Sequence, residues 1–302
     1  MARARRAAVV AAVLLAACQG QQEPAARTSP ESSAVTITDD EGVEVTLNAG
    51  AERIVTFAPS HTEIVFALGL EDRLVGVSGR FDDFPPAARE IERVGGAGGV
   101  EPNIETVVSL DPDVVLTAFI GGDWKERLRE LGIPVFTTLA SSFEDALADI
   151  ETIGRLLGVE GEAVSLTAAM AEEAGTIEEE LVAASRASCF LDYGDLFTVG
   201  PGSLEYDLLE RAGCDPVTAS SDEPYPQWSL EQLVQDDPDV YLISEGVTAE
   251  QVSGQPGLRD LTAVRAGRVV PVNPDLLTRP GPRMVEGLRE VAAVLHGGSA
   301  AA

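Results

Sequence analysis

Ile104-Glu-Thr-Val-Val-Ser-Leu-Asp-Pro-Asp-Val-Val-Leu116 is echoed 126 positions later by Leu230-Glu-Gln-Leu-Val-Gln-Asp-Asp-Pro-Asp-Val-Tyr-Leu242. Seven of thirteen positions are identical: Glu105/Glu231, Val108/Val234, Asp111/Asp237, Pro112/Pro238, Asp113/Asp239, Val114/Val240 and Leu116/Leu242. Each copy reads as a short helix, a stop and a buried strand. Asn103 and Ser229 are suited to cap the helices, and Ser229 with Gln232 has the capping-box spacing. Asp-Pro-Asp predicts the stop, because proline cannot continue a helix and pushes its predecessor out of the α region. A unit repeated at this distance predicts two similar lobes. It also sets one carboxylate, Glu105 or Glu231, at the same place on each.

Working outward, Val35 to Leu47 alternates around Asp40-Glu-Gly42 as a hairpin. Arg53–Ala58 and Arg73–Ser78 read as strands, with a helix from Ile64 to Gly69 between them that Ser60 is placed to cap. The first repeat, a helix at Asp123–Leu131, a strand at Val135–Leu139 and a helix at Ser142–Leu157 follow. Alternating strands and helices with short connections predict a parallel, doubly wound sheet. Glu160–Ala187 breaks the rhythm. It lacks proline, and Leu166, Met170, Ile177 and Leu181 keep a helical stripe, so it reads as one connector of roughly 40 Å at 1.5 Å per residue, with two shorter helices broken near Gly175 as the alternative. Beyond it come a strand at Cys189–Tyr193, a helix at Ser203–Ala212, the second repeat, a strand at Arg268–Val272 and an amphipathic helix at Arg283–His296. The expected fold is therefore α/β: two Rossmann-like lobes with mainly parallel sheets, residues 34–159 and 188–302, joined by one long α-helix over 160–187.

The first eighteen residues read as an export leader. Arg3, Arg5 and Arg6 form a basic region, and the apolar run Ala7–Leu15 is too short to span a bilayer. Leu15-Ala-Ala-Cys18 resembles the lipobox of bacterial lipoproteins, which implies acylation of Cys18; Gln19–Ser33 reads as a disordered tether. The expected location is outside the cytoplasm, at the outer face of the cytoplasmic membrane with lipid as the sole membrane contact, or in the periplasm. The formal charge is −29, and loss of the three leader arginines takes it to about −32, a balance that bears on solubility and opposes nucleic-acid binding. Two cysteines remain, Cys189 at the start of a strand and Cys214 after the returning helix. A disulfide between them and a pair of buried thiols are both compatible with that spacing in an exported chain.

Further stretches carry a family resemblance. In the first half they are Phe57-Ala-Pro-Ser-His-Thr-Glu-Ile-Val-Phe-Ala-Leu-Gly69, Leu74-Val-Gly-Val-Ser78 and Phe84-Pro-Pro-Ala87. In the second they are Thr198-Val-Gly-Pro-Gly-Ser-Leu204, Tyr225-Pro-Gln-Trp-Ser229 and Arg279-Pro-Gly-Pro-Arg283. From Val35 to His296 the chain resembles the solute-binding proteins of bacterial ABC importers for cobalamin, ferric siderophores and haem. The resemblance implies a monomer that carries no cofactor, takes a metal chelate as ligand, and meets a permease dimer with its ATPase. It implies that Glu105 and Glu231 dock onto permease arginines; each glutamate alone could equally be serving its helix dipole. It also matches Phe119, Phe197, Tyr225 and Asp275 to ligand-contacting positions, with Arg80 or Phe81 near another. At Gly95–Val100 the chain is glycine-rich where cobalamin binders carry a tryptophan.

Such a cleft should lie at the carboxyl ends of the strands. Rings there suit a flat ligand, and Trp124 and Trp228 join Phe81, Phe119, Phe197 and Tyr225 as candidates, with core packing an equal reading for Trp228. Arg80, Arg279 and Arg283 are candidates for anionic siderophore groups, Arg283 also as a structural cation on backbone carbonyls. Rival functions fit less well. His61 and His296 are the only histidines, too few for a transition-metal site, although a single axial His61 or Tyr225 would serve haem. The chain shows no nucleophile elbow, zinc motif or phosphate loop of an exported enzyme. A stiff connector predicts small hinge adjustments on ligand capture.

Overall fold

The computed structural model describes residues 34–297, except 49, 80, 96–100, 120 and 245. A hairpin, β1 (Val35–Thr38) and β2 (Glu44–Leu47), precedes the first lobe. That lobe runs β3 (Ile54–Thr56), α1 (Pro59–Ala67), β4 (Leu74–Val77), α2 (Ile104–Ser109), β5 (Val114–Thr117), α3 (Asp123–Glu130), β6 (Val135–Thr137) and α4 (Phe143–Leu156). The connector is α5 (Glu160–Leu181). The second lobe runs β7 (Ala187–Asp192), α6 (Leu204–Arg211), β8 (Cys214–Pro216), α7 (Leu230–Asp236), β9 (Val240–Ile243), α8 (Ala249–Gly254), α9 (Thr262–Arg265), β10 (Val269–Pro271), α10 (Pro274–Leu277) and α11 (Met284–His296).

Both main sheets are parallel and four-stranded, in the orders β4-β3-β5-β6 and β10-β9-β7-β8. Numbered within its own lobe, each has the order second, first, third, fourth. The two copies of the repeat are therefore topological equivalents, each supplying the third strand and its preceding helix. Their shared aspartates have shared jobs. Asp111 and Asp237 adopt left-handed backbone, φ 46° and 41°, so each helix is ended by the aspartate before the proline as well as by the proline itself. Asp113 Oδ2 accepts from the amides of Glu52 and Arg53 at 2.8 and 2.9 Å, and Asp239 Oδ2 accepts from the amide and hydroxyl of Ser188 at 3.1 and 2.9 Å. In each lobe this carboxylate staples the third strand to the start of the first.

Two boundaries differ from expectation. The connector is a single helix but stops at Leu181, so its 22 residues span about 33 Å. Val182 is 83% exposed: the apolar stripe has run out, and a further turn would bury nothing. Ser60 is not a cap either. Pro59 opens α1 behind an extended Ala58, which leaves Ser60 buried inside the first turn.

The connector is clamped along its length. On α4, Gly154 lies so close to α5 that a Cβ there would meet the Ala163 Cβ at 2.2 Å. Farther along, Arg289 of α11 pairs with Glu173 at 2.7 Å. Arg211 of α6 bonds Asp207 at 2.9 Å, Glu178 of α5 at 2.7 Å, and Glu144 of α4. One buried apolar cluster runs from Ile54 and Leu116 through Ile150, Met170 and Ile177 to Leu191, Leu208 and Leu288, so the two lobes share a core. Among the described residues no helix is long and apolar enough to cross a membrane.

Candidate functional site

The segments that follow the strands of both sheets converge on a cleft of about 620 Å³, within the range of small-ligand sites. The first lobe contributes Ala58–Ser60 after β3, Phe81 after β4, Ala118 and Phe119 after β5, and Thr138–Ser141 after β6. The second contributes Gly202 and Ser203 after β7, Pro224 and Tyr225 after β8, and Asp275 with Thr278–Pro280 after β10. Each sheet reverses its strand order between its first and third strands, and the cleft sits at those switch points.

Phe81 and Tyr225 line the cleft with 42% and 45% of their surface exposed. Phe119 lines it too, edge-on to Phe57 at 5.7 Å. Phe197 is outside the lining but stacks on Tyr225, with centroids 6.5 Å apart and planes at 24°. The tryptophans are not cleft residues. Trp124 is 3% exposed and packs on Phe57 at 4.9 Å, because α3 turns it onto the sheet. Trp228 packs against the second-lobe core and donates Nε1–H to Asp236 at 3.1 Å. The sole lysine, Lys125, is equally occupied: it is buried, bonds Glu41 and Thr137 at 2.7 and 3.1 Å, and donates to the Phe119 carbonyl.

Of the arginines expected to meet an anionic ligand, Arg279 and Arg283 are engaged elsewhere. Glu63, buried in α1, receives Arg279 at 3.0 Å and Arg283 through two bonds of 2.8 and 2.6 Å. Arg279 also donates to the Phe81 carbonyl at 3.1 Å and pairs with Asp275 at 2.7 Å. Arg283 lies 3.8 Å from the Phe84 ring centroid. Its partners are a carboxylate and a ring, not the backbone carbonyls expected. Glu63 thus joins the first lobe to the segment between α10 and α11, at the edge of the cleft. Sequence reasoning quoted this glutamate without giving it a role. The available signal was an acid on a helix whose neighbours Ile64 and Val65 are core residues.

A second buried acid stands behind Tyr225. Glu205 receives the Tyr225 hydroxyl at 3.1 Å and the Tyr193 hydroxyl at 3.4 Å. Burial raises its carboxyl, while the backbone and the two hydroxyls work the other way.

A third group lies beneath Thr138, whose hydroxyl meets buried His61 Nε2 at 2.9 Å. Burial pushes His61 down to about 4, and its ring is covered, so it offers no axial nitrogen to haem in the cleft. Burial, then the charge of Asp40, raises Asp149 to about 7, with Thr138 acting against them. The two groups have opposite linkage. Stability from the depressed His61 is present above its unfolded value near 6.5 and is lost as pH falls toward about 4. The contribution of Asp149 is present below its unfolded value near 3.8 and is lost as pH rises through about 7. Asp149→Asn should therefore stabilise the protein at pH 8, on the order of 2 kcal/mol after allowance for partial exposure, and leave stability near pH 4 unchanged. Thermal melts across that interval measure it; an equal effect at both ends would refute the assignment.

Glu105 and Glu231 are exposed in the first turns of α2 and α7, and neither is in an ion pair among the described residues. Three positions on, the identical Val108 and Val234 are 40% and 45% exposed. Cys189 and Cys214, on adjacent strands, form a disulfide with Cα atoms 5.9 Å apart. Cys18, Arg80 and most of Gly95–Val100 lie outside the described residues. Among the described residues, no group of three or more His, Cys, Asp or Glu side chains is arranged to hold a metal ion.

With two parallel-sheet lobes, a long connector and a ring-lined cleft, the chain has the build of an extracytoplasmic binding protein, and comparison with known sequences agrees. The chain belongs to the periplasmic binding protein family, whose model matches residues 54–276; these are binding components of transporters, not enzymes. It is 33% identical over 304 residues to an ABC transporter substrate-binding lipoprotein of Bacillus subtilis, covering 96% of this chain and 95% of that one. It is 33% identical over 276 residues to the cobalamin-binding protein of Halobacterium salinarum, covering 87% of this chain and 74% of that one. Among solved structures, the vitamin B12-binding protein of Vibrio cholerae aligns with a TM-score of 0.70 at 27% identity, covering 81% of this chain and 96% of that one. A protein of the Fe3+-hydroxamate transport system of Saccharomonospora viridis aligns at 0.74 and 27%, covering 87% and 99%.

Proposed function

We propose that this protein captures a cobalamin-type or ferric-siderophore chelate outside the cytoplasm and delivers it to a permease dimer and its ATPase, as a monomer tethered through an acylated Cys18. The observation that carries the reading is the cleft itself, where Phe81, Phe119 and Tyr225 from both lobes face a space of about 620 Å³ with few charges. Burying a flat or globular chelate against those rings supplies the affinity, and polar groups at the rim fix its orientation. The shared core and the Glu63 cluster restrict lobe movement, so capture proceeds by small hinge adjustments. Glu105 with Val108, and Glu231 with Val234, form the two permease-docking points.

Titration calorimetry with cyanocobalamin and with ferric hydroxamates tests the ligand class. Saturable binding of one of them is expected, accompanied by stabilisation of about 2.7 kcal/mol at a hundredfold excess over Kd. Absence of binding to every chelate offered would refute it.

A further inference from the structure

The reading as a chelate binder leaves the ligand's charge open, and the proton bookkeeping of the cleft bears on it. Among the described residues, Arg279 is the only cationic side chain lining the cleft. Its Nη1 is given to Glu63, and its Nη2 is shared between Phe81 O and Asp275. Its charge is already met by Glu63 and Asp275, so a ligand anion placed there competes with two carboxylates.

Four hydroxyls on the walls have also spent their protons. Tyr225 donates to Glu205 at 3.1 Å, Ser203 to Gly200 O at 2.9 Å, Ser141 to Asp145 at 2.7 Å, and Thr278 to Pro274 O at 2.9 Å. A hydroxyl has one proton and two lone pairs, so each can offer the cleft only an acceptor. Asp275 adds a partly exposed carboxylate. At the helix starts beside the cleft, Pro59 has no N–H, and Ser203 accepts from the Tyr206 amide to cap α6. A carboxylate or catecholate placed among these groups loses water and gains no donor from them, a cost that binding proteins otherwise avoid by pairing the charge.

We propose that the cleft selects an electroneutral or cationic chelate bearing N–H or O–H donors, and that Glu205 sets this polarity by holding the Tyr225 proton away from the ligand. Glu205 does not line the cleft and acts as a positioning residue. Its two tyrosine bonds lock the Tyr225 hydroxyl as an acceptor beside the stacked Phe197 ring.

Calorimetry on the full protein with four probes tests this. Cyanocobalamin is neutral with peripheral amides and ferric ferrioxamine B carries an ammonium, whereas haem carries two propionates and ferric enterobactin is a trianion. One of the first two should bind about 100-fold or more tightly than either anion, the discrimination typical when buried polar groups are left unpaired. An anionic probe binding within tenfold of the better neutral or cationic one would overturn the proposal. In Glu205→Gln the new amide can donate to the Tyr225 oxygen and turn its proton outward. The donor-bearing probe should then weaken about tenfold while the gap to haem narrows. Tyr225→Phe, at a half-exposed position where folding is not at stake, should weaken the donor-bearing probe without improving haem. If Glu205→Gln weakens all four probes equally, the positioning role is refuted. If no probe binds, the chelate-binder reading itself fails, and the charge rule falls with it.

Discussion

Glu63→Gln should cost the folded protein about 3–5 kcal/mol, the usual consequence of leaving buried cations without their counter-charge. The side chain of Glu63 is 2% exposed, and those of Arg279 and Arg283 are 9% and 15% exposed. Glutamine keeps the volume and can still accept one bond, so packing loss contributes little, and the effect isolates the charge. In a chain of this size the melting temperature should fall on the order of 10 °C. A second consequence separates this cluster from an ordinary surface ion pair. Arg279 also holds Asp275 and the Phe81 carbonyl, so ligand affinity should weaken together with stability. Thermal unfolding and calorimetry on the variant measure both, and an unchanged melting temperature would show that the cluster is not the lobe-to-lobe fastening described.

Glu105→Ala combined with Glu231→Ala should abolish ligand uptake by whole cells while the Kd for ligand stays as it was. Truncating one partner of a buried interfacial ion pair costs 2–5 kcal/mol, so each single variant should lower uptake by ~30-fold or more and the pair should leave none. Both residues are solvent-exposed first-turn glutamates on equivalent helices, and their loss should change stability by no more than the few tenths to about 1 kcal/mol of a helix-dipole interaction. Uptake at the wild-type rate by the double variant would reduce these residues to helix-terminus charges.

Much of the fold was legible because it rests on local chemistry. The repeat, its caps and its Asp-Pro-Asp stops act within a few residues, and the parallel-sheet architecture follows from strand and helix alternation. The site was legible only in part. Phe81, Phe119 and Tyr225 could be placed at the cleft because they sit just past strands. Trp124 sits just past one too, yet α3 turns it inward; loop position alone does not fix which way a ring points. The pairing of Glu63 with Arg279 and Arg283 spans 216 and 220 residues, and no local pattern encodes a contact across that distance. Glu205 was hidden for another reason. An acid between Leu204 and Tyr206 in an acidic chain looks like surface until its burial against two tyrosine hydroxyls is seen.

The apolar cluster that crosses α4, α5, α6 and α11 has a calorimetric consequence. Each lobe keeps a smaller apolar cluster on one face of its sheet, but the larger cluster is common to both, so the two lobes should melt together in one cooperative transition. A ligand gripped only at the front therefore stabilises the disulfide strands and the final helix behind them to the same extent. The sensor and its scaffold are one thermodynamic body.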